Sequence, residues 1–300
     1  MKYVKVSIVI LTKNAGENFR KVLSGISSQS FKSFEVIVID SGSTDNTLEI
    51  AKQYSTRIIN IRSEEFAHGK TRNLGARLAN GKYVVYLTHD AIPKNKNWLY
   101  EIIRPLSNKR IAGVYSRQIP RKNEKILDKF FYLSLYPKKE ILWQEKDNIQ
   151  GNNIFSDVSS AIRKEVLIKY PFNNNIIVTE DYEWAQRVLK KGYKIFYNPK
   201  SEVIHSHSYN LSSLFRRCFD IGVSYTKIYN SKSKKSFIKK GISIHLQELK
   251  YLIKNKKSHL IPYCITKDVT RFIAVNLGKN YRLLPNSINR GFSNYGGYWK

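Results

Sequence analysis

A run of strand and helix signals, repeated four times in roughly the first 90 residues, restricts the fold of this chain more than any other feature. Residues 6–11 are almost wholly apolar and close on Thr12-Lys13-Asn14. That pattern predicts a strand buried on both faces, followed by a polar loop. Phe19, Val22, Leu23 and Ile26 recur at helical spacing over residues 18–28. A second strand spans 34–40 and stops at Ser41-Gly42-Ser43-Thr44-Asp45, a turn rich in helix-capping residues, with a helix over 47–54. Residues 58–61 and 83–88 supply two further strands, separated by a helix over 71–79 that ends at Asn80-Gly81. Buried strands alternating with helices predict a doubly wound parallel sheet with ligands at the strand C-termini.

The rest of the chain is mixed. Helices are expected over 98–106 and 164–170, and strands over 111–118 and 156–163. Residues 128–150 read as aromatic and loop-like, with room for a helix. An amphipathic helix over 181–191 turns Trp184, Val188 and Leu189 inward and closes at Gly192. A last strand over 194–197 is followed by an extended piece over 203–207.

Composition then shifts. Residues 209–300 hold 18 Lys and Arg against 3 Asp and Glu, whereas residues 1–208 hold 34 against 20. We therefore expect a catalytic domain over 1–208 and a basic, mainly helical region over 209–300, with residues 231–240 as a lysine-rich hinge. The formal charge of +29 points to an anionic partner: nucleic acid, an anionic lipid surface or a phosphorylated substrate. No helix-turn-helix, zinc or RNP signature is present, which argues against nucleic acid. Cys218 and Cys264 have neither metal-ligand spacing nor a disulfide framework. The apolar run after the N-terminus is too short for a signal peptide, and none reaches the roughly 18 residues of a membrane span. A cytoplasmic protein is expected, soluble or peripheral on the inner face of the plasma membrane.

The candidate site residues lie at strand ends and one helix start. Asp40 ends the second strand, where a carboxylate can accept from a pyrimidine N3–H or a ribose hydroxyl, or cap the next helix. Asp90 follows the fourth strand and is a hard-cation ligand by chemistry, or a turn residue. Glu180-Asp181 opens the amphipathic helix, either as a cap or as a general base that the helix dipole keeps ionised. His205 and His207 project to one side of an extended chain. Arg72, Arg216 and Arg217 could grip phosphates or be solvated charges.

In this order the segments resemble the inverting glycosyltransferases of family 2, which have the GT-A fold. The carrying residues are 7–14, 38–45, Thr88-His89-Asp90 and Thr179-Glu180-Asp181. Residues 65–76, 87–93, 113–118 and 155–163 are most similar to bacterial rhamnosyltransferases. The resemblance implies a Rossmann-like, mostly parallel sheet with helices on both faces. It places Thr12, Asp40, Arg72, Asp90, Arg216 and Arg217 at the donor, with Asp40 on the base and Arg72 on the phosphates. His68, Asp157 and Glu180 would lie near the acceptor or donor sugar, and Asp181 would be the catalytic base. Asp90 matches the last carboxylate of the family's Asp-x-Asp metal motif, whose first Asp is Thr88 here. His205, less so His207, would complete a site for Mg2+ or Mn2+.

The implied donor is dTDP-L-rhamnose, with UDP-sugars second. The implied acceptor is a growing surface glycan on a polyprenyl diphosphate. The basic C-terminal region suits an anionic membrane surface, with Phe237, Ile238, Ile242, Leu246, Leu249, Leu252 and Ile253 as one amphipathic face. A bundle or an oligomer contact is the other reading of that face. Retention of both Asp90 and Asp181 argues against a catalytically silent carbohydrate-binding relative.

Overall fold

Strand β1 (Val6–Thr12) forms the middle of a parallel half-sheet, flanked by β2 (Phe34–Asp40) and β4 (Tyr83–Leu87), with β3 (Thr56–Asn60) outside β2. The computed structural model describes residues 4–148, 154–228 and 234–299, without the side chains of 146, 148 and 234–240. The basic patch over 231–240, including Lys232, Lys234, Lys235, Lys239, Lys240, Phe237 and Ile238, thus falls outside the described side chains.

Helices α1 (Gly16–Ser27), α2 (Thr47–Lys52) and α3 (His68–Leu78) make the crossovers. Val6, Ile8, Ile10, Val36 and Val38 are buried against Phe19, Val22, Leu23 and Ile26 of α1 and Ile50 of α2. This is the inward stripe that the helical spacing predicts. On the other face α3 comes so close that a Cβ on Gly75 would sit 2.4 Å from Val9 Cγ1.

Beyond β4 the sheet becomes mixed. After β5 (Ile92–Pro93) and α4 (Trp98–Ile103) come β6 (Ile111–Ile119), α5 (Ile126–Leu135) and β7 (Ile141–Trp143). These are followed by β8 (Ser159–Arg163), α6 (Lys164–Lys169), α7 (Glu180–Leu189) and β9 (Lys194–Ile204). The order across the sheet is β3-β2-β1-β4-β8-β6-β9-β5, with β7 also on β9. β8 runs antiparallel to both β4 and β6, while β6 and β9 are parallel. The two extended pieces expected over 194–207 are one strand. Its pairing with β6 jumps from Ser116↔Asn198 to Arg117↔Glu202, so Pro199 sits in a bulge, where its missing N–H costs no ladder bond.

The chain divides into two compact units. One holds residues 1–121, 135–174 and 180–206, and the other 122–134, 175–179 and 207–300. The sheet belongs to the first. Beyond residue 208 all described regular structure in the second is helical, with α8 (Leu211–Ile228), α9 (Lys234–Lys254), α10 (Ile261–Lys279) and α11 (Asn286–Phe292). α8 and α10 meet backbone to backbone: a Cβ on Gly278 would lie 2.1 Å from Phe219 O, and one on Gly222 2.3 Å from Val275 O. Leu252 turns inward onto Leu127 and Cys264, so α9 is part of a bundle. Between α9 and α10, His245 Nδ1 lies 2.6 Å from Asp268, and Arg271 reaches Asp268 at 2.6 Å and Glu248 at 3.5 Å. Both cysteines are buried and free. Among the described residues, no helix is long and apolar enough to cross a membrane.

Candidate active site

Strand direction brings the polar candidates of the first unit to one sheet edge. β1, β2 and β4 are parallel, so Thr12, Asp40 and Thr88-His89-Asp90 all emerge at their C-terminal ends. β8 is antiparallel to β4, with Leu87 opposite Ser159, so Asp157 just before β8 lies at that same edge. Thr88 N donates to Val158 O at 3.0 Å and fixes the two segments together. Gln118 and His205 sit at the corresponding ends of β6 and β9, joined by His205 N donating to Ile119 O at 2.9 Å.

Asp40 shapes its own turn. Its Oδ2 accepts from Gly42 N at 3.0 Å and Ser43 N at 2.8 Å, and its Oδ1 from Ser43 Oγ at 2.5 Å. Gly42 has φ 84°, a conformation that side chains rarely adopt. Asn14 N donates to Ser43 Oγ at 2.8 Å, and Gly16 N to Asp45 Oδ2 at 3.0 Å, so the loops after β1 and β2 are clasped. Asp45 has no counterpart among the sequence candidates, though its position after Gly-Ser-Thr marks it as a cap. The hydroxyls of Thr12 and Thr88 are buried with no hydrogen-bond partner among the described residues.

A buried ionic cluster stands beside this edge. Arg72, on the α3 face that packs against β1, pairs through Nε with Asp157 Oδ2 at 3.2 Å and through Nη1 with Glu180. Asp157 Oδ1 accepts from Ser160 Oγ at 2.5 Å. The Asp157 backbone N–H donates to Asp181 Oδ2 at 3.0 Å, and Tyr182 N donates to Asp181 Oδ1 at 2.8 Å. Trp184 anchors α7, packing on Phe155 and Phe172 and donating from Nε1 to Tyr170 O at 2.8 Å. Thr179, the residue before α7, has φ 65°, an unfavourable backbone for a β-branched side chain.

Three carboxyl groups here share one guanidinium. Burial pushes Asp181 up to about 6, Glu180 adds to the rise, and Arg72 opposes it. Asp157 is also raised by burial, against the pull of Arg72. The helix N-terminus favours the ionised form of Asp181, while burial and Glu180 carry the net shift upward. A value near 6 still leaves an ionised carboxylate at neutral pH. Two edges of the Arg72 guanidinium are engaged by carboxylates.

Asp90 and His205 form a second group, with Oδ2 and Nε2 3.5 Å apart. The Gln118 amide nitrogen donates to Tyr136 Oη at 2.7 Å and Ser156 Oγ at 3.1 Å, which turns its oxygen to His205 Nδ1 at 2.9 Å. Nδ1 therefore carries a proton, and in the neutral ring the Nε2 lone pair faces a carboxylate oxygen. Two acceptors converging in this way fit a cation, and a histidine held through its other nitrogen is the usual form of a metal ligand. Arg121 donates from Nη2 to Asp90 O at 3.1 Å, with Asp90 Oδ2 at 3.9 Å. Gln118 and Arg121 were absent from the sequence candidates. The His205 position and the polar end of the β6 pattern were the signals available for them.

The remaining candidates are His68, His207, Arg216 and Arg217, and the charge of His68 acts on Asp181 to favour its ionised form. His68 opens α3, with its ring edge-on to Phe66 at 5.0 Å. His207, Arg216 and Arg217 belong to the second unit. There His207 N donates to Tyr132 Oη at 3.2 Å, Arg217 lies over the Tyr209 ring at 5.5 Å, and Arg216 is exposed on α8.

A mixed α/β sheet with carboxylates gathered at its strand ends defines a broad class, and comparison with known proteins narrows it. The Glycosyl transferase family 2 profile matches residues 7–170. The O-antigen chain rhamnosyltransferase WbaN of Salmonella anatum is 33% identical, over 98% of this chain and 95% of that protein. The O-antigen chain rhamnosyltransferase RfbN of Salmonella typhimurium is 31% identical, over 99% and 96%. Among solved structures, the mannosyltransferase PcManGT from Pyrobaculum calidifontis, in complex with GDP-Man and Mn2+, superposes with a TM-score of 0.60 at 17% identity. That match covers 98% of this chain and 84% of the mannosyltransferase. The chain belongs to glycosyl transferase family 2 and is a glycosyltransferase of the GT-A fold.

Proposed function

We propose that this enzyme transfers L-rhamnose from dTDP-L-rhamnose to a hydroxyl of a growing surface glycan, with inversion at the anomeric carbon. The observation that carries this reading is the carboxylate of Asp181, oriented by two backbone N–H groups beside the Arg72–Asp157–Glu180 cluster. The two Salmonella relatives, rhamnosyltransferases by name, support the choice of sugar. A UDP-sugar donor is the second reading. The acceptor would be carried on a polyprenyl diphosphate.

In this mechanism Asp181 takes the proton from the acceptor hydroxyl as that oxygen attacks the anomeric carbon. The bond to the nucleoside diphosphate breaks in the same step, and a single displacement inverts the centre. Asp157 and Arg72 act through Asp181: the Asp157 N–H holds one carboxylate oxygen, and Arg72 limits how far burial raises its affinity for the proton. Arg72 is assigned here to the carboxylates rather than to the donor phosphates. Thr12 and Asp40 would receive the nucleoside, and the buried Thr12 and Thr88 hydroxyls leave donors available there. His68 and Glu180 would border the reacting sugars. Arg216 and Arg217 are proposed to meet the diphosphate, on the strength of their charge and of their place in the sequence soon after His205.

Asp90 and His205, with His207 as a lesser candidate, would hold a divalent cation, Mg2+ or Mn2+. Such an ion would neutralise charge on the departing diphosphate. The Mn2+ bound by the Pyrobaculum mannosyltransferase supports this assignment. The chain would act on the cytoplasmic side.

A thermal-shift screen tests the donor, because a ligand that binds only the folded state raises its stability by mass action. With Mn2+ present, dTDP and dTDP-rhamnose should raise Tm more than UDP, UDP-glucose or GDP-mannose. A larger shift with a UDP-sugar would replace the donor assignment with the second reading.

A further inference from the structure

Among the described residues, the second unit leaves an apolar face uncovered. α9 and α10 run antiparallel and face each other through His245 with Asp268, Glu248 with Arg271, and Leu252 with Cys264. At about 100° per residue, Ile242, Leu246 and Ile253 share one line along α9, and Ile265, Val269 and Phe272 share one along α10. Each line lies about 110° beyond the side by which its helix faces the other. In an antiparallel pair, equal rotations from the facing sides bring both lines to the same side of the hairpin. These six side chains are 46–60% exposed, so they form one apolar strip and not scattered surface residues.

Charge indicates what covers the strip. Lys250 and Lys254 flank it on α9, and Lys256 and Lys257 stand in the turn, all four exposed. No acidic side chain lies between residues 249 and 267, and residues 209–300 carry a net charge of +15. A second copy seated on this strip would bring two such positive regions together. An anionic bilayer accepts both features, taking the apolar side chains into the acyl boundary and the lysines among the headgroups.

We propose that the α9–α10 hairpin docks flat on an anionic phospholipid surface through this two-helix strip. The contact differs from the single amphipathic helix of the sequence reading, since Leu252 is buried in the bundle and Leu249 packs against it. It is independent of which donor the enzyme uses.

Co-sedimentation with vesicles tests the proposal. At low salt the full chain should bind phosphatidylglycerol–phosphatidylcholine vesicles at least tenfold more tightly than pure phosphatidylcholine vesicles. The double variant Leu246→Asp/Val269→Asp should lose at least tenfold of that binding while its dTDP thermal shift stays unchanged. Lys250→Gln/Lys254→Gln/Lys256→Gln/Lys257→Gln should remove the preference for the anionic lipid. Equal binding to both vesicles, or a double variant that binds like the wild type, would overturn the proposal. So would sedimentation velocity showing a wild-type dimer that the double variant converts to a monomer, which would assign the strip to a second copy.

Discussion

Asp181 owes its properties to where burial and hydrogen bonds meet. Burial and Glu180 raise its carboxyl to about 6, while two N–H groups keep both oxygens aimed. A base must be ionised to act, so kcat should fall about tenfold per pH unit below about pH 6. A pH–rate profile checks this, and a flat profile down to pH 5 would exclude the group. Stability should move in the opposite sense. The folded carboxyl takes up its proton at higher pH than the unfolded one, so its contribution favours folding at low pH and is lost as pH rises through about 6. Arg72 is the counterpart. Arg72→Met leaves Asp157 and Glu180 buried without their cation and should cost about 3–5 kcal/mol in urea denaturation. A loss under 1 kcal/mol would mean that the cluster is not ionic.

The strands and helices differ in how far the sequence announced them. β1, β2 and β4 were legible because a strand buried on both faces must be apolar at every position, and the capping residues after β2 marked its end. β9 read as two pieces because Asn198-Pro199 looks like a break, whereas the bulge opposite Ser116 absorbs it. Asp40, Asp90 and Asp181 were legible from their positions at strand and helix ends. The ion pairs of Arg72 were not, because its partners are 85 and 108 residues away along the chain and no local pattern couples them. The same holds for Gln118, whose part in orienting His205 depends on the parallel pairing of β6 with β9. If Asp90 and His205 do hold a cation, Asp90→Ala should weaken dTDP binding and abolish stimulation by Mg2+ or Mn2+. Titration calorimetry with and without EDTA reads both effects, and wild-type affinity unchanged by EDTA would contradict the assignment. In the second unit, Gly278→Ala places a methyl group against Phe219 O and should cost about 1–3 kcal/mol by forcing α8 and α10 apart. A variant that melts with the wild type would show that the crossing is loose.

Over the whole chain, charge and chemistry are unevenly distributed. The first unit gathers at one sheet edge the carboxylates and histidine to which the proposed reaction assigns roles. The residues after 208 hold 18 of the 52 Lys and Arg but only 3 of the 23 Asp and Glu. Part of that excess is structural, as in the buried pair of Lys267 with Asp128 at 2.7 Å. High salt should therefore release the protein from anionic vesicles, because the Debye length falls to about 3 Å at 1 M, yet leave the fold intact. The account as a whole depends on Asp181 as the base of a rhamnosyl transfer. Its most direct test is a turnover assay with dTDP-L-rhamnose and a membrane extract carrying lipid-linked acceptor, comparing wild type with Asp181→Asn. The predicted result is transfer by the wild type and a loss of roughly 10²–10⁴-fold in the variant, with its dTDP affinity retained. Near-normal transfer by Asp181→Asn would contradict the account.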